Sequence, residues 1–160
     1  MPGHAGVISE TGAGDGLRPA QDRLGSPSSV AQAAALVLDR PRRGVLVVHL
    51  RAAVDHPSCD VFEGRIVDEL DREATCRVVV DLHDVTLLSA AALGMLVRLR
   101  RLTWRRDMRL VLVGTSHHAV HQPLQAAGVL PLFDTRPTVL HALPAPVADT
   151  RGGGRNGVGR

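Results

Sequence analysis

Apolar and polar positions along the chain fall into short runs with two different periods. Residues 34–38 and 45–50 are apolar runs, and the polar stretch 39–44 between them, Asp-Arg-Pro-Arg-Arg-Gly, predicts a hairpin turn. Asp55-His56-Pro57 then opens a helix, with Pro in the first turn, where its missing N–H would be unpaired anyway. Val61, Phe62, Ile66, Val67 and Leu70 recur at helical spacing behind it. Residues 77–82 are mostly apolar, the pattern of a strand covered on both faces. A short polar turn follows, and a helix starting near Ser89 covers 90–105. Residues 110–113 predict another buried strand; Ser116 can cap a helix reaching about residue 127, which Gly128 ends. A short edge strand is expected at 130–133 and a last short helix at 138–143. The order β-β-α-β-α-β-α-β-α predicts an α/β domain, a mixed and mostly parallel sheet of about five strands flanked by helices.

Residues 1–30 are rich in Gly, Pro and Ser, and 144–160 end in Arg-Gly-Gly-Gly-Arg-Asn-Gly-Val-Gly-Arg. Both predict disordered tails around a single domain at 31–143. The apolar fraction of 44% supports a core, but aromatics are only 2%, so that core is built from Leu, Val and Ala. One Trp and two Phe leave almost nothing for bases to stack on, and a net charge of +3 is modest. No direct nucleic-acid contact is expected. No secretory pattern opens the chain, and no run approaches the roughly 18 apolar residues of a membrane span. Cys59 and Cys76 form no metal pattern, which fits a reducing compartment. The expectation is a cytoplasmic protein without a membrane partner.

On the helix over 90–105, about 100° per residue places Leu93, Leu96, Val97 and Trp104 together as predicted core. Gly94, Arg98, Arg101 and Arg105 share another arc, about 60° wide. Such an Arg stripe, smooth at its Gly end, suits a protein partner with an acidic groove; a solvated charged face is the plainer reading. Asp81 and Asp84 bracket the expected strand end. Paired carboxylates can hold Mg²⁺, but no third carboxylate or phosphate-binding Gly loop accompanies them, and turn-forming Asp explains them more simply. His117 and His121 share a helix face, yet His118 stands where a zinc-protease motif has Glu. No metal site, no cofactor and no enzymatic activity are expected. Ser89 opens a helix whose N-terminal N–H groups favour anions, and reads either as an N-cap or as a phosphorylation site.

Three stretches carry a family likeness. They are Leu50-Arg-Ala-Ala-Val-Asp55, Val79-Val-Asp-Leu-His-Asp-Val-Thr-Leu-Leu-Ser-Ala-Ala-Ala-Leu-Gly94, and Arg109-Leu-Val-Leu-Val-Gly-Thr-Ser116 followed by Leu124-Gln-Ala-Ala-Gly-Val-Leu-Pro-Leu-Phe133. In this order and spacing they resemble the STAS domain of bacterial anti-sigma factor antagonists, over about residues 34–143. The resemblance implies a binding module that sequesters an anti-sigma factor, of the histidine-kinase-like ATPase class, and so frees a sigma factor for transcription. In that family the partner kinase phosphorylates a Ser at the start of the central helix. The phosphate adds nearly two negative charges to the docking face and the complex dissociates.

Here the family's Asp aligns with Ser89, its phosphorylatable Ser with Ala90, and its Gly with Ala92; Ala91 lies between. The usual switch is therefore absent unless Ser89 takes it over, about 100° away around the helix. The partner surface implied is Asp55, Asp84, Ser89, Ala90, Ala91, Gly94, Arg98, Arg101 and Arg105. A rival reading is a sensing or scaffolding STAS module with a small molecule or nucleotide near Asp55, Asp84 and Ser89. A metal-dependent enzyme has less support from the residues.

Overall fold

The computed structural model describes residues 35–145. The expected tails at 1–30 and 144–160 lie outside the described residues, apart from Pro144 and Ala145. Five strands and four helices follow in the predicted order. They are β1 (Leu36–Arg42), β2 (Val45–Val54), α1 (His56–Arg72), β3 (Arg77–Leu88), α2 (Ala90–Arg105), β4 (Arg109–Val113), α3 (His118–Ala126), β5 (Asp134–Arg136) and α4 (Val139–Ala142). In the sheet they lie in the order β1-β2-β3-β4-β5. β1 is antiparallel to β2, and every other neighbouring pair is parallel.

The strand ends differ from the sequence expectation, each for a local reason. Residues 39–42 remain in β1 with Arg42 opposite Val45, so the hairpin turns on Arg43 and Gly44 alone, and Gly44 takes φ 75°. Pro41 is tolerated because β1 is an edge strand. The expected turn after residue 82 is absent: β3 continues to Leu88 beside β2. Two register shifts in that pairing break the period-two alternation and hide the strand from a pattern reading. Ala52, at the second shift, has φ 60°, a conformation that costs a residue with a Cβ about 1–2 kcal/mol. Ser116 does not cap α3; His117 occupies the cap position and makes no side-chain cap bond. Residues 130–132 form a 3₁₀ turn, closed by Phe133 N–H donating to Leu130 O at 3.2 Å, and the edge strand starts only at Asp134.

Among the described residues the two faces of the sheet are covered unequally. One face carries Leu46, Val48, Val78, Val80, Leu82 and Leu112 against Phe62, Ile66 and Leu70 of α1, Met95, Leu96 and Leu99 of α2, and Val120 and Leu124 of α3. The other carries Val45, Val47, Val79, Val111 and Val113 beneath Ala142, Val139 and Leu143 of the small α4 region. Two arginines fasten that region. Arg77 donates to Ala142 O at 2.7 Å, and Arg42 donates to Pro144 O.

The helix α2 is rotated from the predicted setting. Its buried stripe is Ala92, Met95, Leu96, Leu99 and Thr103, with the Thr103 hydroxyl satisfied by Arg100 O at 2.9 Å. Leu93 and Val97 sit half-buried at the margin, and Trp104, expected in the core, is 76% exposed. Among the described residues no helix is long and apolar enough to cross a membrane.

Candidate functional site

The C-terminal ends of β2 and β3 lie side by side, Val54 opposite Leu88, and each strand passes directly into a helix. Asp55 caps α1: its Oδ1 accepts from Ser58 N–H at 3.2 Å and from the Ser58 hydroxyl at 2.6 Å. The Ser58 hydroxyl bond is the main reason its carboxyl is held below the usual carboxylate range. Ser89 caps α2: its Oγ accepts from Ala92 N–H at 3.2 Å, while its own N–H donates to Val54 O at 3.2 Å. That last bond ties the two junctions together. Two helix N-termini thus open at one end of the sheet, where their unpaired N–H groups make the surface attractive to negative charge.

From this corner a groove of about 370 Å³ runs between α1 and α2, lined by His56, Cys59, Asp60, Glu63, Ala90, Ala91, Gly94 and Arg98. Ala90 is exposed at the first position of α2, and Ala91 and Gly94 are half-buried. Arg98 grips Glu63 of α1 with two nitrogens, Nε at 2.9 Å and Nη2 at 2.7 Å. The Glu63 bond holds the guanidinium firmly protonated. Gly94 leaves room for this arrangement, because a Cβ there would come within 3.2 Å of Arg98 Nη1. Burial pushes the Cys59 thiol up, so it lines the groove as a neutral apolar group.

The structure brings Asp55, Ser89, Ala90, Ala91, Gly94 and Arg98 together and carries Arg101 and Arg105, both exposed, further along α2. Asp84 does not belong to this group. It lies in β3 opposite Arg51, pairs with that side chain at 3.6 Å, and is five strand residues from Ser89, roughly 16 Å. The expected cluster of Asp55, Asp84 and Ser89 around a small ligand therefore does not form. Glu63, which fixes Arg98, was not legible in the sequence: nothing in the spacing says which face of α1 meets α2.

A second polar cluster sits on the thinly covered face of the sheet. Asp81, also expected in a turn, is inside β3 opposite His49. Its Oδ2 meets His49 Nδ1 at 2.8 Å; its Oδ1 meets His83 Nδ1 at 2.7 Å and accepts from His83 N–H at 3.1 Å. Gly114 packs against the same spot with φ 76°, and a Cβ there would fall 2.6 Å from His83 N. Among the described residues no group of three or more His, Cys, Asp or Glu is placed to hold a metal ion.

Burial pushes the Asp81 carboxyl up, but the bonds from the His83 ring, the His83 N–H and the His49 ring outweigh it and hold the carboxyl below its ordinary value. A carboxyl depressed in the fold stabilises fully above the unfolded value of about 3.9 and loses that contribution as pH falls through the folded value. Urea unfolding is accordingly expected to show a loss of stability below about pH 4 that Asp81→Asn reduces. Identical pH dependence in the two proteins would remove Asp81 from the acid response.

The family model of the STAS domain matches residues 39–142, most of the described fold and both junctions. The chain belongs to the STAS domain family. Several solved structures superpose on it. RsbS from Moorella thermoacetica does so at 18% identity and a TM-score of 0.59, covering 67% of this chain and 90% of that one. An anti-sigma factor antagonist from Mycobacterium paratuberculosis gives 21%, 0.56, 67% and 88%. The anti-sigma factor antagonist SpoIIAA in its unphosphorylated form gives 17%, 0.57, 64% and 88%. At these identities the likeness is one of fold. No curated protein matches the sequence. The STAS assignment agrees with the order of elements read from the residues.

Proposed function

We propose that this STAS domain is an anti-sigma factor antagonist-like regulator. It docks on an anti-sigma factor of the histidine-kinase-like ATPase class and frees the sigma factor, without release by phosphorylation. The docking surface runs from Asp55, Ser89, Ala90 and Ala91 through Gly94 and Arg98 to Arg101 and Arg105. The observation that carries the reading is the exposed Ala90 at the first turn of α2, in the groove that α2 forms with α1. Alanine keeps the contact surface and has no hydroxyl to modify. Ser89 does not substitute simply, because its Oγ is engaged by Ala92 N–H as the helix cap. Ser89→Ala removes that cap, a loss of roughly 0.5–2 kcal/mol of helix stability.

The test incubates wild type, Ser89→Ala and Ala90→Ser with the cognate kinase and ATP and measures intact mass. Wild type is expected to stay unmodified, and Ala90→Ser to gain a single phosphate, since the new hydroxyl sits where the helix dipole favours it. A phosphate gained by wild type and lost in Ser89→Ala would make Ser89 the switch and end the constitutive reading.

A further inference from the structure

The far end of α2 carries an apolar surface that the docking reading does not use. Trp104, the single Trp of the chain, is 76% exposed, and Leu132 of the 3₁₀ turn is 43% exposed. Both line one depression of about 190 Å³ with Met108 and Leu110. Its wall is held in place, because the Arg100 guanidinium donates to Leu132 O and pins the turn against α2. An isolated exposed apolar residue needs no explanation, but an indole and a leucine sharing one depression form a patch, and patches of this kind mark interaction sites.

The charge around it is mostly positive, although Asp134 lines the depression and Asp107 stands three residues after Trp104. Arg100 and Arg101 stand four and three residues before Trp104, beside it on the helix, and Arg105 follows it. None of these three has a carboxylate partner among the described residues. The neighbouring carboxylates of Asp71 and Asp134 are already taken by Arg106 at 2.6 Å and Arg136 at 2.9 Å. Trp and Arg are also the residues that dominate binding energy at protein interfaces. We infer that Trp104 and Leu132 form a second docking site, for a protein segment that presents an apolar side chain beside carboxylates. The site goes beyond the docking reading above: at about 100° per residue the indole projects roughly 60–100° around α2 from Arg101 and Arg105, on the side of the 3₁₀ turn, where that reading places no contact.

The test uses the full chain and its own fluorophore. Short random peptides are selected on the immobilised protein, and binding is read by Trp104 emission. Enriched peptides are expected to carry Asp or Glu next to an apolar residue, to shift the emission to the blue, and to loosen as salt is added. They are expected to bind Trp104→Ala and Leu132→Ser at least about tenfold more weakly by anisotropy. Both side chains are exposed, so an unchanged thermal midpoint separates lost binding from lost folding. Arg101 and Arg105 border both surfaces and are left unaltered. Failure to enrich any peptide, or peptides that bind Trp104→Ala equally well, would overturn the site. So would a blue shift that rises with chain concentration alone, which marks a second copy, or one produced only by a single-stranded oligonucleotide.

Discussion

Leu96→Ala is expected to cost about 2–5 kcal/mol, read as a lower urea midpoint at unchanged slope. Leu96 is 0% exposed and lies in the centre of the stripe that α2 presses onto the sheet, between Ala92 and Leu99. The close-packed core around it includes Val80, Leu82 and Leu112, and a truncated side chain there leaves a void the surroundings fill only in part. Leu93→Ala is the informative companion. Leu93 is half-buried at the edge of the same helix, so its truncation loses less transfer energy and leaves no closed cavity. A Leu93 cost equal to that of Leu96 would mean that α2 is turned the other way.

Replacing Arg98, Arg101 and Arg105 together by Glu is expected to weaken binding to the anti-sigma partner at least about 100-fold, roughly 2.7 kcal/mol, by calorimetry. Like charges brought face to face across an interface are strongly unfavourable, and the stripe lies on one side of α2. One of the three also has an intramolecular role, since Arg98→Glu places a carboxylate against Glu63. That pair is exposed enough for its loss to cost only about 0.2–1 kcal/mol, so the fold survives. The charge swap Arg98→Glu with Glu63→Arg restores the link between α1 and α2 while still reversing the outer charge. Unchanged affinity in the triple variant would return the stripe to plain solvated surface.

The parts of the fold legible in the sequence are those that local chemistry decides. Ser89 was readable as a cap, and Asp55-His56-Pro57 as a helix start, because a short acceptor followed by an apolar-periodic run has few other uses. The run of Val78, Val79 and Val80 could only be a strand buried on both faces. The misread parts depend on what lies across a gap. Along α2 the apolar residues Leu93, Val97, Leu102 and Trp104 surround the helix so widely that its centre of burial cannot be found from spacing, and the small Ala92 and polar Thr103 occupy that centre. Residues 83–88 lose their alternation at the register shifts, so Asp81 and Asp84 read as turn formers. The grip of Arg98 on Glu63 joins residues 35 apart and that of Asp81 on His49 residues 32 apart, beyond any local rule.

The unequal covering of the sheet implies an order of opening. Helices α1, α2 and α3 share one continuous core with the sheet, so amides in the middle of β3 exchange with solvent only when the whole domain opens. Among the described residues the cover on the other side is a single helix of four residues, kept down by two arginine bonds to carbonyls and a few apolar contacts. It can detach without breaking a strand pairing. Its amides are expected to exchange first among the helices, and each such event bares a row of five valines, so this face sets how readily the folded chain sticks to its neighbours at high concentration.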